Sequence, residues 1–340
     1  MTNPVLKVSP LTTPWQTMDP FLFCMHHDDT YPAGDENMGP VTPLNGRTIG
    51  QDFSGKDGWS MYHGSAVPGF PKHPHRGFET VTVVRSGIID HADSVGASSR
   101  FGEGDLQWMT AGRGIVHSEM FPLRHRDIEN PTELFQIWLN LPASRKMVAP
   151  HFKMIWGNTI PREITRDGNG NKTTVSGYAG TLPDGTEPPA PPPDSWAADA
   201  SNCVAVWTIK MTPNATWTLP AGTPGTSRQL YFFDGDQINI GSSEVGVQHA
   251  VSLDPVIAAT LQNGPRSAEF LFLQGRPINE PIAQYGPFVM NTNAEIQQAL
   301  ADYRGDQFGG WQWPGDGPTH PRDAKRFARY ADGVLETQDA

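Results

Sequence analysis

Apolar and polar positions alternate along most of this chain, and the alternation predicts short strands. From 78 to 85, Phe78, Thr80, Thr82 and Val84 take turns with Glu79, Val81, Val83 and Arg85. Successive strand side chains point to opposite faces of a sheet, and β-branched residues favour the extended backbone. Gly87 stops this strand, and 88–91 continues as another. Residues 106–109, 115–120 and 134–139 read as further strands. Around them lie the turn sequences Asp93-Ser94-Val95-Gly96, Gly102-Glu103-Gly104-Asp105 and Gly112-Arg113-Gly114. The second half repeats this character at 204–209, 230–233, 237–240 and 269–273, and residues 167–171 predict a hairpin turn. Residues 1–60 look irregular. One segment has a helical period. Thr292-Asn293-Ala294-Glu295 has the form of a capping box, and Ile296, Leu300 and Tyr303 then recur at spacings of four and three, with Gly305 expected to end the helix.

A length of 340 residues exceeds the usual single domain and predicts two. The 35 Gly and 32 Pro punctuate the chain too often for long helices. Five prolines within Glu187-Pro188-Pro189-Ala190-Pro191-Pro192-Pro193-Asp194 suit a stiff connector. The expected division is therefore a first domain at 1–186, a linker at 187–200, a second domain at 201–305 and a surface tail at 306–340. A net charge of −11 argues against nucleic-acid binding, which needs a basic face. Two distant cysteines, Cys24 and Cys203, form no disulfide framework and point to a reducing compartment. The first residues lack an apolar signal core, and no apolar run approaches a bilayer span, so a soluble cytoplasmic protein is expected.

The candidate chemistry lies in two short motifs. His73-Pro74-His75 is matched downstream by His117-Ser118-Glu119. On a strand, residues i and i+2 share a face, so two adjacent strands could aim three imidazoles and one carboxylate at one point. Such a donor set suits Fe, Mn, Ni, Cu or Zn, with Fe or Mn favoured by the carboxylate. A lone His-x-His pair arises often by chance among 11 histidines. The second pair at the same spacing, and the Gly-containing turns beside each pair, raise the reading to one mononuclear metal site. Glu79, four residues after His75, would share the ligand face if the strand ran unbroken.

Residues 70–81 and 107–119, which hold both motifs, closely resemble the pirin family. The resemblance extends through 134–147, 273–277 and 283–292. It implies an all-β bicupin: two antiparallel cupin-type jelly-roll β-barrels with one short C-terminal helix, the N-terminal barrel metallated and the C-terminal one without ligands. By resemblance the ligands are His73, His75, His117 and Glu119, the metal is Fe(II), and Glu79 stands behind the ligands rather than on the metal. Some pirins resemble flavonol dioxygenases, which implies a small enolic or aromatic substrate, O₂, and Glu119 as general base. Others act through protein partners, so a metal-dependent regulatory protein is the rival reading. A metal-assisted isomerase or decarboxylase is a third.

Phe70 is a candidate pocket residue or a core aromatic. Arg76 and Arg113 flank the motifs and could orient an anion, although a structural ion pair is the commoner use of such residues. His26-His27-Asp28-Asp29 competes weakly as a metal site, since adjacent strand residues point apart. His249 reads as structural.

Overall fold

The computed structural model describes residues 3–338. Among them antiparallel strands dominate, and Asn293–Asp306 is the one α-helix. No helix is long and apolar enough to cross a membrane. The chain forms two compact units. One joins the residues up to Cys24 with Asn158–Asn279; the other runs from Met25 to Gly157 and resumes at Glu280.

The unit from Met25 carries both histidine motifs. Its five-stranded sheet has the order His151–Ile155, Leu106–Thr110, Phe78–Ser86, Asn130–Asn140, Phe21–Tyr31. Its six-stranded sheet has the order Leu335–Gln338, Arg326–Arg329, Ser98–Gly102, Ile88–Asp93, Ile115–Met120, Gly69–His75. The strand Phe78–Ser86 is buried on both faces over its first seven residues. Its run of Val and Thr suits a central strand covered on both sides. Between Gly69–His75 and Phe78–Ser86 the chain changes sheet at Gly77. Gly77 has φ +87, and a Cβ there would meet the Val289 carbonyl oxygen at 2.0 Å, so only glycine fits.

The capping box forms as expected. Glu295 N donates to Thr292 Oγ1 at 3.2 Å, and Thr292 N donates to the Glu295 carboxylate at 2.8 Å. Ile296, Leu300 and Tyr303 pack with Val116, Phe288 and Phe308. Val116 precedes His117 on a strand, so the helix braces the outer face of the strand whose inner face bears His117. The helix does not stop at Gly305. It ends at Asp306, and Gln307 takes the left-handed position at φ 52.

The expected surface tail is partly a sheet element. Arg326–Arg329 pairs antiparallel with Ser98–Gly102 and covers what would otherwise be an open edge. The buried Arg100 grips Asp90 through two 2.7 Å bonds and also donates to the carbonyls of Pro321 and His320 at 2.5 and 3.0 Å. The chain before the strand is thereby tied down.

The other unit has a seven-stranded sheet, Val5–Pro10, His249–Leu253, Ser227–Asp234, Ala268–Gly275, Ala205–Met211, Lys172–Ala179, Arg162–Arg166, and a four-stranded sheet, Thr216–Leu219, Ala259–Asn263, Gln237–Ile240, Ser243–Gly246. This differs from the expected division at 1–186. The hairpin predicted at 167–171 forms, but Val175 and Leu182 pack with Ala205, Trp207 and Phe272 in the core of the second half. The change of unit falls near Gly157, before the hairpin, and the proline stretch is a loop within this unit. The irregular N-terminus also hides a strand, Val5–Pro10, paired with His249–Leu253. Leu6 and Val8 stand exposed on it, so it lacks a buried face that would show in the sequence. His249 is structural, its Nδ1 beside the carbonyls of Gly246 and Val247. Cys24 and Cys203 are both free thiols.

Candidate metal centre

The strands Gly69–His75 and Ile115–Met120 are antiparallel neighbours with His73 opposite His117. A bulge between Phe70 and His73 puts Phe70 opposite Glu119, on the same inner face. The imidazoles of His73, His75 and His117 converge. Their candidate ligand atoms all lie within 4.8 Å of one another, and the ring centroids are 4.4 to 4.9 Å apart.

Each ring is prepared to donate a lone pair. His73 Nδ1 lies 2.9 Å from the Pro71 carbonyl, which takes its proton and leaves Nε2 free. His75 bonds to the Pro287 carbonyl, and its Nδ1 has no partner. His117 is fully buried with neither nitrogen partnered. Burial disfavours the imidazolium and holds the rings neutral: His73 is pulled down to about 4, and His75 and His117 lie well below the usual value. Neutral imidazole is the ligating form. An unpartnered buried polar atom costs about 1–3 kcal/mol, so three such nitrogens in one cluster fit a metal ion.

Glu119 is 3 % exposed and shares the inner face. The converging group consists of the three imidazoles without its carboxylate. That carboxylate is held instead by the five-stranded sheet: Thr82 Oγ1 lies 3.1 Å from Oε1, and Gln136 Nε2 donates to Oε2 at 2.8 Å. Thr82 Oγ1 is also 2.5 Å from Gln136 Oε1, so its one proton serves two acceptors. Burial raises the Glu119 carboxyl above its ordinary value, against the pull of His91, Thr82 and Gln136.

Several nearby residues were not read from the sequence. His91 is fully buried opposite Glu119 on the neighbouring strand, its ring 5.5 Å from His117 and stacked on Phe152 at 5.1 Å. Its Nε2 lies 3.2 Å from Asp93 Oδ2. His91-Ala92-Asp93 repeats the i, i+2 spacing of the ligand pairs, a signal that was available. Trp138 lies with its ring 5.5 Å from His75. Thr82, Gln136 and Trp138 carried no such signal, because they face the site only through cross-sheet packing.

Phe70 stands where a pocket residue would, half-buried, with its ring 6.3 Å from His73 and stacked on Tyr62 at 5.1 Å. The other candidate residues take structural or surface positions. Glu79 does not share the ligand face, because the strand breaks at Gly77. It pairs with Thr110, accepts its hydroxyl at 2.7 Å, and alternation places it opposite to the Thr82 face. Arg76 serves structure: Nε donates to the Arg113 carbonyl and Nη1 to Asp302 on the helix, both at 2.6 Å. Arg113 is exposed and lines a cleft with Asp302 and Phe308 in which none of the four predicted ligands appears. His26 pairs with Glu133 and His27 packs edge-on against Tyr62, so the two rings do not converge.

The pirin family profile matches residues 5–139, and the pirin C-terminal cupin domain profile matches residues 206–309. Pirin of Mus musculus is 36% identical over 249 residues, covering 72% of this chain and 79% of the relative. Pirin-1 of Arabidopsis thaliana is 35% identical over 260 residues, covering 71% and 78%. Among solved structures, quercetin 2,3-dioxygenase from Acinetobacter baumannii is similar with a TM-score of 0.70 at 25% identity, covering 91% of this chain and 99% of that one.

Proposed function

This chain belongs to the pirin family, and from that premise we propose that it is a metal-dependent dioxygenase of a flavonol-like or other enolic aromatic small molecule. The observation that carries the reading is the convergence of three neutral imidazoles, His73 half-buried and His75 and His117 buried with unpartnered nitrogens. His73, His75 and His117 would hold the ion, with Glu119 as the candidate fourth ligand. A first-row ion, Fe(II) ahead of Mn, Ni, Cu or Zn, would supply open positions for an oxyanion and for O₂.

The chain's own groups handle the proton. An enolic hydroxyl entering beside His73 meets Glu119, an acceptor-only carboxylate when ionised. The O–H bond breaks, the electron pair stays on the substrate oxygen, and the proton passes to a Glu119 carboxylate oxygen. Gln136 Nε2 keeps that carboxylate oriented, and Thr82 offers its hydroxyl to the other oxygen. Phe70 beside His73 and Trp138 beside His75 provide apolar faces for a planar ring and limit water around the proton transfer.

The test is reconstitution. Metal content is measured on protein as purified, then Fe(II) is added with quercetin under O₂. Loss of flavonol absorbance with matched O₂ uptake is expected. Failure with every first-row divalent metal rejects the proposal.

A further inference from the structure

The barrel without the histidine motifs has a built polar site of its own. On its inner face Arg228 stands opposite Gln274, continuing the row of Leu230 and Phe232 opposite Phe272 and Phe270. Those four apolar residues lie in the barrel core, so Arg228 and Gln274 occupy the end of the same interior face. Arg228 is only 2 % exposed. One nitrogen, Nη2, donates to the Pro220 carbonyl at 2.7 Å. The other two, Nε and Nη1, have no partner, and no carboxylate among the described residues pairs with the guanidinium. Asp254 acts on it only at a distance. The aromatic face of Phe272, 5.3 Å away, does not balance a full charge. A buried cation without a counter-ion is costly, and its two unmet donors add to that cost.

Arg228 also forms part of the wall of a cleft of about 640 Å³. That is the usual size for a small-molecule site, and barrel mouths are a usual place for one. The wall is mixed: Trp207 and Val204 from the barrel and Pro188 and Pro191 from the proline-rich stretch supply apolar surface, and Thr181, Glu187 and Thr223 line it too. The stretch that reads as a linker therefore walls a cavity, and its locked backbone makes that wall stiff. Gly222 keeps the rim open beside the guanidinium, since a Cβ there would come within 2.8 Å of Gln274 Oε1 and 3.3 Å of Arg228 Nε.

We propose that this cleft is a ligand site for a small organic monocarboxylate with a flat apolar body, its carboxylate accepting from Arg228 and its body between Trp207 and the prolines. One guanidinium matches one negative charge, and a single cationic group in a cleft that also carries Glu187 suits a monocarboxylate better than a phosphate dianion. The site lies wholly within the unit that lacks the imidazoles, and it does not depend on the metal reading.

The experiment titrates the full chain with benzoate at constant ionic strength by calorimetry and thermal unfolding. Benzamide serves as the neutral shape match and inorganic phosphate as the apolar-free anion. Benzoate is expected to bind at least about tenfold more tightly than either and to raise Tm. R228M should abolish that preference. A198W, at an exposed position on the cleft wall, should block benzoate while leaving the guanidinium in place. If R228M does not fold, R228K and A198W decide: R228K should retain a weakened benzoate preference and A198W should lose it. Equal responses to benzoate and benzamide, tighter phosphate binding, undiminished benzoate binding in R228M or A198W, or no benzoate binding at all would overturn the proposal.

Discussion

Replacing His117 by leucine should stabilise the metal-free protein while removing its response to metal. His117 is fully buried and neither ring nitrogen has a partner. A neutral imidazole has one donor and one acceptor to satisfy, and each left unmet costs about 1–3 kcal/mol. Leucine removes both groups, and imperfect packing returns about 1 kcal/mol of that gain. A net stabilisation of about 1–5 kcal/mol follows, or roughly 2–20 °C in Tm at about 2–4 °C per kcal/mol for a domain of this size. Metal favours the wild type. At one hundred times its Kd, a bound ion stabilises the folded state by about 2.7 kcal/mol, and only the wild type should gain it. Calorimetric scans of both proteins, stripped with chelator and then loaded, read out both effects. A lower Tm for H117L in the stripped state would show that His117 is satisfied without an ion. An equal upward shift of both proteins on loading would place the metal elsewhere. Either result refutes the reasoning.

Glu119→Gln keeps the shape and the hydrogen bonds from Gln136 but removes the proton acceptor, so turnover of an enolic substrate should fall about 10²–10⁴-fold at saturating substrate; an unchanged kcat in metal-loaded protein would remove Glu119 from the chemistry. His27 is pulled down to about 3 by burial and by His26, against about 6.5 in an unfolded chain. Below pH 6.5 the unfolded state takes a proton that the folded state refuses, so stability falls as pH falls towards 3; H27F should cut the loss between pH 7 and 4.5 by about 2–3 kcal/mol in urea titrations, and parallel curves for the two proteins would contradict this. Arg100→Met strands the buried Asp90 and frees the carbonyls of Pro321 and His320. It should cost about 3–5 kcal/mol and speed hydrogen exchange across 320–338, whereas unchanged protection there would mean the tail holds without the clamp.

Legibility in the sequence followed the range of the interactions involved. His73, His75 and His117 could be read together because each lies on a strand whose alternation is local. The capping box of Thr292 and Glu295 is equally local, and it formed as read. Glu79 would share the ligand face only on an unbroken strand, and Gly77 breaks it. The backbone there turns to φ +87 and sends the chain into the other sheet. The spacing of His91 and Asp93 is equally local.

What the sequence determined by itself was the period of the side chains: β-strands throughout, one late helix, and three imidazoles able to meet. A period of two says which residues share a face, but not which sheet a strand joins or what lies across the barrel. Tertiary structure alone decided that the hairpin at 162–179 packs on Trp207 and Phe272 and that Arg326–Arg329 closes the edge at Ser98–Gly102. It alone placed Thr82 and Gln136 on Glu119 and left Arg228 facing a cleft with its charge unmatched. Those outcomes depend on which distant apolar faces and open edges bury each other most fully, and that competition is settled by the whole chain at once.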